Sequence, residues 1–590
     1  MKEKLKSRRS TGTGAAFALL LCLPLAALAA ARQNAPAAPQ TPPATSAPVP
    51  APSSPASPSK GNQTAKPFTH ITPEQAQQLF ALVDELLKFS SQDTGLPIKS
   101  SVKRQMTTRA AVESYLDEKF NEDESAKRLE RDEIVLKKFG LLDRDFDLKP
   151  FLLELLKEQI EAYYDSKTKT VNLLDWVDPD EQKPVMAHEL THALQDQHSN
   201  LEKWDDQTPD DVSTDATGDE DHLAKDEMDT ARDAVAEGQA TAVMFDYVLK
   251  PLGKSLVKDP EVLDIVKSQM NSSADSPVMA RAPLLLSESL LFPYREGLSF
   301  EQDVWMDQGQ AAAFAGTLDR PPSSSWEIIN PRMYEEKRMP AIPLLPDIHP
   351  VVDSLYRPYD IGQIGELDVH IITELFGGDA SARDLTPAWD GGLYWAGQLR
   401  SATTPAEQDT TKSLGLFYLS IWKSADSAQT FAKLYARNLS RKYSSVQKVS
   451  QSDAAPSGSG STEEVYSTDE GPVVLTIRGK MVFVAESFPL PMARKLTSLI
   501  LDAQGSGALR ITSAPLHETP LGPLVADPSA KLAMNPAAAG AAKSVPSSGI
   551  GGPLSGDLVS FFGDCGVMKA AVDAEKRAAR REFALRRSLP

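Results

Sequence analysis

Two histidines four residues apart, in the run His188-Glu189-Leu190-Thr191-His192, constrain this chain more than any other feature. On a helix, positions i and i+4 share one face about a turn apart, so both imidazoles can reach one metal ion. Glu189 projects at the edge of that face, where it can polarise a water at the ion. Such a site needs neutral imidazole or carboxylate donors, a third protein ligand and one position left open. The competing reading is a buried amphipathic helix with two satisfied histidines. The apolar lead-in Pro184-Val185-Met186-Ala187 suits both.

The chain offers two candidates for the third ligand. His198 lies six residues after His192, the spacing of HExxHxxGxxH sites, but Gln195 stands where that pattern has glycine. If the helix runs on without a turn, six residues at about 100° each carry His198 to the far side of the helix. The alternative is Glu237, in Ala234-Val235-Ala236-Glu237-Gly238-Gln239-Ala240. Residues 226–249 read as a second helix, with apolar residues recurring at three and four and no proline before Pro251. Its glycine and alanines suit tight packing on the first helix. Asp196 and Asp233, each one turn from a candidate ligand, are candidate acceptors for a second imidazole N–H.

The stretch Ala187-His188-Glu189-Leu190-Thr191-His192-Ala193-Leu194-Gln195-Asp196-Gln197-His198, with Glu237-Gly238 on a later helix, resembles a gluzincin-type group of secreted or lipid-anchored bacterial metallopeptidases. The segment Arg320-Pro321-Pro322-Ser323-Ser324-Ser325-Trp326-Glu327-Ile328-Ile329-Asn330-Pro331, then Tyr334, is similar as well, although Asn330 stands where such a segment is expected to carry histidine. The resemblance covers roughly residues 67–506. It implies a zinc ion (Zn2+) held by His188, His192 and Glu237, Glu189 as general base, and a protein or peptide substrate. It gives a reaction class and not a substrate. By residue type alone, Tyr294, Tyr334 and His222 are candidate donors to a developing oxyanion.

Just upstream, residues 159–164 and 170–174 flank the polar run Asp165-Ser166-Lys167-Thr168-Lys169 and read as a β-hairpin. An edge strand there could take an extended peptide by β-augmentation, or serve the fold alone. The expected fold class is α+β. It comprises a mostly helical zincin-like domain at residues 67–380 and a small two-layer domain of order ββαββα at 385–506. Residues 205–221 are strongly acidic and read as a solvated surface insertion rather than a calcium loop, since no spaced ligand loop appears.

The ends have a different character. Lys2, Lys4, Lys6, Arg8 and Arg9 precede an apolar, alanine-rich run, so residues 1–31 read as a signal peptide, with an uncleaved membrane anchor as the alternative. Residues 32–66 are Ala/Pro/Ser/Thr-rich and read as an extended linker. Residues 507–590 form a low-complexity tail. The expected location is periplasmic or extracellular, with possible membrane or cell-wall association through the N-terminal segment. Once the signal is removed, Cys565 is the single cysteine left and no intrachain disulfide can form. A net charge of −19 argues against nucleic acid as a partner, because phosphate neutralisation needs a basic surface. Two other functions fit the residues. One is a catalytically idle metal-binding scaffold, against which the intact Glu189 counts; the other is a zinc hydrolase acting on cell-wall amides.

Overall fold

The computed structural model describes residues 18–19 and 70–504, apart from 120–122, 206, 210–211, 260, 271–275 and 450–459. The linker, the tail, both cysteines and the signal segment lie outside the described residues, save for the two-residue strand Ala18–Leu19. Among the described residues no helix is long and apolar enough to cross a membrane. The chain forms two compact units and passes between them more than once. Residues 70–205 and 228–335 belong to one, and 206–227 and 336–504 to the other.

The first unit is mostly helical. Its small sheet has strands β1 (Lys103–Thr107), β2 (Ala162–Asp165) and β3 (Thr170–Leu174) in the order β2-β3-β1. Strands β2 and β3 form the antiparallel hairpin expected from the sequence, β1 joins β3 in parallel, and Ala18–Leu19 pairs antiparallel with the outer side of β2. The helix carrying the two histidines, Pro179–Ser199, follows directly. Asp178 caps it by accepting from the Asp180 amide at 2.8 Å, Pro179 opens it, and Asp180 and Glu181 suit the positive end of its dipole. It runs unbroken to Asn200, whose left-handed conformation (φ 57°) ends it.

Helix Pro73–Thr94 packs on one side of this helix and donates from Ser90 Oγ to the Ala187 carbonyl at 3.0 Å. Helix Met228–Leu249 packs against it too, and is backed by Leu284–Gln308. The sequence reading assigned Gly238 to the contact with the histidine helix. Instead Gly238 faces Leu284–Gln308, where a Cβ would lie 2.3 Å from the Gly297 carbonyl carbon. A Cβ on Gly297 would lie 2.1 Å from the Ala234 oxygen. Glycine is required on both sides of this crossing because backbone meets backbone.

The second unit is a seven-stranded, wholly antiparallel sheet. Its strands are β4 (Tyr356–Gln363), β5 (Trp389–Leu399), β6 (Leu414–Trp422), β7 (Val446–Lys448), β8 (Ser461–Thr468), β9 (Gly471–Arg478) and β10 (Met481–Glu486). They lie in the order β4-β5-β6-β10-β9-β8-β7. Phe417 and Leu419 point into a core completed by Ala493, Leu496 and Ile500 of helix Leu490–Ala503. Tyr418 points the other way, onto Phe431 of helix Ala425–Arg437 at 6.0 Å between ring centroids. The unit therefore has three layers where the sequence reading had two, because the continuous apolar runs of β5, β6 and β10 are buried on both faces.

Two expectations are revised in this unit. The sheet begins with β4, well before the expected boundary at 380–385. That strand carries Pro358 at a break in its register with β5, which disguises it as loop. The acidic stretch is not simply solvated either: residues Ala216–Lys225 form a helix with Asp219, His222 and Leu223 buried. Leu223 joins the core that contains Ile361. The buried charges find partners within the unit: His349 Nε2 lies 3.1 Å from Asp219 Oδ2 and His222 Nε2 3.5 Å from Asp226 Oδ1.

Candidate metal centre

His188 and His192 lie on the inner face of their helix, and Glu237 reaches them from helix Met228–Leu249. One donor atom from each residue lies within 4.8 Å of the other two, and all three are buried. His188 Nε2 is 3.0 Å from Glu237 Oε2, and His192 Nε2 is 3.5 Å from Glu237 Oε1. The two imidazoles meet edge to face at 4.6 Å, and the Tyr294 ring lies nearly parallel to His188 at 6.4 Å. Among the described residues this is the one group of three such side chains whose donor atoms converge in this way.

The helix that continues to Ser199 excludes His198 for the reason its turn angle implies. His198 points away and pairs with Asp319 Oδ1 at 2.9 Å. The two carboxylates expected to steer the ligating histidines do not do so. Asp196 accepts from Tyr164 Oη at 2.8 Å and Lys169 Nζ at 2.7 Å, which ties the first strand and the turn of the hairpin to the histidine helix. His192 Nδ1 instead meets Gln195 Oε1 at 2.8 Å, and His188 Nδ1 has no protein acceptor, so Asp233 serves neither ring. The sequence reading considered Gln195 only as a failed glycine, although its place three residues after His192 was a signal of contact. Tyr334 gives its hydroxyl to the Arg320 carbonyl at 2.7 Å, and Asn330 donates to the Trp326 carbonyl at 2.9 Å.

Electrostatics single out the same group. Burial works against the charge on Glu237, but His192 and His188 outweigh it and hold its carboxyl well below the usual range. Burial likewise disfavours a charged His192, yet Glu237 and Glu189 raise it to about 9. For His188 burial prevails, with His192 adding repulsion, and it falls to about 4. Glu189 is pushed up to about 8 by burial and by Glu237, against the pull of His192 and the nearby Tyr164 amide. Neither Glu189 oxygen has a hydrogen-bond partner of ordinary geometry in the protein, and neither does His192 Nε2.

Buried polar atoms are almost always satisfied, so this concentration of unmet lone pairs calls for an explanation. The residues present fit a divalent cation: two imidazole nitrogens and one carboxylate converge, and His192 Nε2 and the Glu189 oxygens, all without partners, are atoms that a cation and a water would engage. No family model, no curated protein and no solved structure matches the chain. The case for a metal therefore stands on the residues and on this geometry.

Proposed function

We propose that this chain is a zinc-dependent peptidase of gluzincin type, acting outside the cytoplasm on protein or peptide. The observation that carries the reading is the convergence of His188, His192 and Glu237 beside a buried Glu189 whose two oxygens lack partners. Zinc bound by those three residues would supply Lewis acidity, making water nucleophilic near neutral pH and polarising a scissile carbonyl.

The chain's own residues do the rest. Glu189, on the same helix between the two histidines, would take a proton from the attacking water and return it to the departing amine nitrogen. Glu237 and His192 compensate one another's charge, so the site can stay buried. Strand β2 presents its backbone beside Glu189, as the influence of the Tyr164 amide on that carboxylate indicates, and Asp196 fixes the strand to the histidine helix. An extended substrate laid along β2, on the edge that Ala18–Leu19 takes in this chain and that removal of residues 1–31 would free, would bring a peptide bond to Glu189. Export follows from the character of residues 1–31.

Zinc per chain in the full-length protein tests the reading, with Glu237→Ala and His198→Ala alongside. About one zinc, lost in Glu237→Ala and kept in His198→Ala, supports it. No zinc in the parent, or retention in Glu237→Ala, overturns it. Casein and peptidoglycan fragments offered in parallel separate a peptidase from a cell-wall amidase. Glu189→Gln is expected to lower turnover by about 10²–10⁴ while keeping the metal. Unchanged turnover in that variant would exclude the mechanism.

A further inference from the structure

We infer that Gln195 and Gln239 form a positioning pair that presents the Nε2 lone pair of His192 to the metal. The consequence rests on the metal reading above; the geometry does not.

The Gln195 amide nitrogen donates to the Ala236 carbonyl at 2.9 Å and to Gln239 Oε1 at 2.9 Å. A backbone carbonyl can only accept, so the edge of Gln195 facing Ala236 must be its NH2 group. Its oxygen is then the atom facing His192. An amide oxygen also can only accept, so His192 Nδ1, 2.8 Å away, must carry a proton. In the neutral ring the lone pair is thereby assigned to Nε2, the nitrogen that faces Glu237 and has no hydrogen-bond partner.

The same logic fixes Gln239. Its oxygen accepts from Gln195, and its nitrogen donates to the Ala313 and Phe314 carbonyls at 3.1 and 3.0 Å and to Thr317 Oγ1 at 2.8 Å. Those two carbonyls belong to a π-helical turn, Ala312–Gly316, a widened geometry that occurs often where function requires it. Thr317 Oγ1 in turn lies 3.2 Å from Glu301 Oε1. Burial pushes the Glu301 carboxyl well up, more than its hydrogen bonds lower it. From His192 outward the donors run one way as far as Thr317: His192 to Gln195, Gln195 to Gln239, and Gln239 to Thr317, whose hydroxyl also donates to the Ala313 carbonyl.

His188 provides the contrast within the same site. Its Nδ1 has no acceptor, and its one polar partner is Glu237, at Nε2. The far nitrogen of one imidazole is thus steered and that of the other is not. A carboxylate in place of Gln195 would raise the basicity of His192; the neutral amide orients the ring while leaving a bound cation more electrophilic.

The test uses the full chain with Gln195→Met and Gln239→Met, substitutions of similar size that remove the amide. Zinc affinity, read by competition with a chromophoric chelator, is expected to fall about 10–100-fold in Gln195→Met and by a smaller factor in Gln239→Met. The His192 Nδ1–H proton should appear in NMR spectra of the parent as a downfield, slowly exchanging signal, with or without zinc. It should be lost to solvent exchange in Gln195→Met. A folded Gln195→Met protein that keeps both the parent affinity and the parent signal overturns the inference. If the parent takes up no zinc, the metal reading fails and the proton signal alone decides the pair. If Gln195→Met does not fold, the affinity and signal of Gln239→Met decide it.

Discussion

Each unit buries a cluster of ionisable groups, and the two clusters are finished differently. In the sheet unit, Lys442 Nζ lies 2.5 Å from Glu486 Oε1, with both side chains fully buried. Tyr435 donates to the same oxygen at 2.6 Å, Tyr443 donates to the other, and Lys442 also donates to Tyr435 Oη at 2.9 Å. Both Glu486 oxygens are engaged from within the fold. In the helical unit, Glu189 is as deeply buried, yet both its oxygens lack partners. Equal burial with unequal satisfaction separates a cluster that the fold completes from one that it leaves incomplete.

The sharpest way to break this comparison is to unbalance the completed cluster. Lys442→Met should cost about 3–5 kcal/mol in urea unfolding, because Glu486 is left as an uncompensated buried charge. A loss below about 1 kcal/mol would show the pair to be dispensable. The helical cluster should behave in the opposite sense and gain from an added ligand. Zinc at a thousandfold excess over its dissociation constant should stabilise the protein by about 4 kcal/mol, reversibly with a chelator, and this gain should vanish in Glu237→Ala. A midpoint unmoved by zinc in the parent would erase the distinction.

A smaller effect is expected behind the ligand helix. Gly238→Ala sets a methyl against the Gly297 backbone and should cost about 1–3 kcal/mol, read in the same urea titration. Zinc affinity should fall with it, because Glu237 is the adjacent residue. Stability lost with affinity intact would show that Glu237 adjusts independently of the crossing.

Asp93 sharpens the comparison from its weak side, since its Oδ2 also lacks a partner although no ligand-like residues converge on it. Burial, with help from Asp246 and against Lys250, pushes it up to about 7. The folded state therefore holds this proton more tightly than the unfolded chain. The stability it confers is fully present below about pH 4 and is lost as pH rises toward 7. Asp93→Asn should flatten that slope and raise stability at pH 7 by on the order of 1–2 kcal/mol, measured by thermal unfolding from pH 4 to 8. An unchanged slope would assign the pH dependence to other groups.

The group of His188, His192 and Glu237 was legible in the sequence: helical periodicity puts His188 and His192 on one face and turns His198 away, and the resemblance to gluzincins pointed to Glu237 on the next helix. The hairpin was legible from two apolar runs around a polar turn. The partners around the ligands were not, since periodicity places Asp196 and Gln195 about equally near His192. The choice between them was made by a tertiary bond from Tyr164 that claims Asp196. Strand β4 was hidden by Pro358 and its charged neighbours. Helix Ala216–Lys225 was hidden because its buried face is made of Asp219 and His222, whose burial depends on His349 and Asp226. Polar residues buried in pairs look like surface until both partners are known.

The excursion of residues 206–227 into the sheet unit has a consequence for how this protein can be taken apart or inherited. The stretch between the second histidine and its glutamate partner is not a removable spacer, because it supplies Leu223 and the Asp219–His349 pair to another core. A fragment starting at residue 336 would lack that helix, and a fragment ending at 335 would carry it with no sheet to cover. No single cut or gene fusion point frees either unit intact, so the two are expected to be gained, lost and shuffled together, as one indivisible cassette.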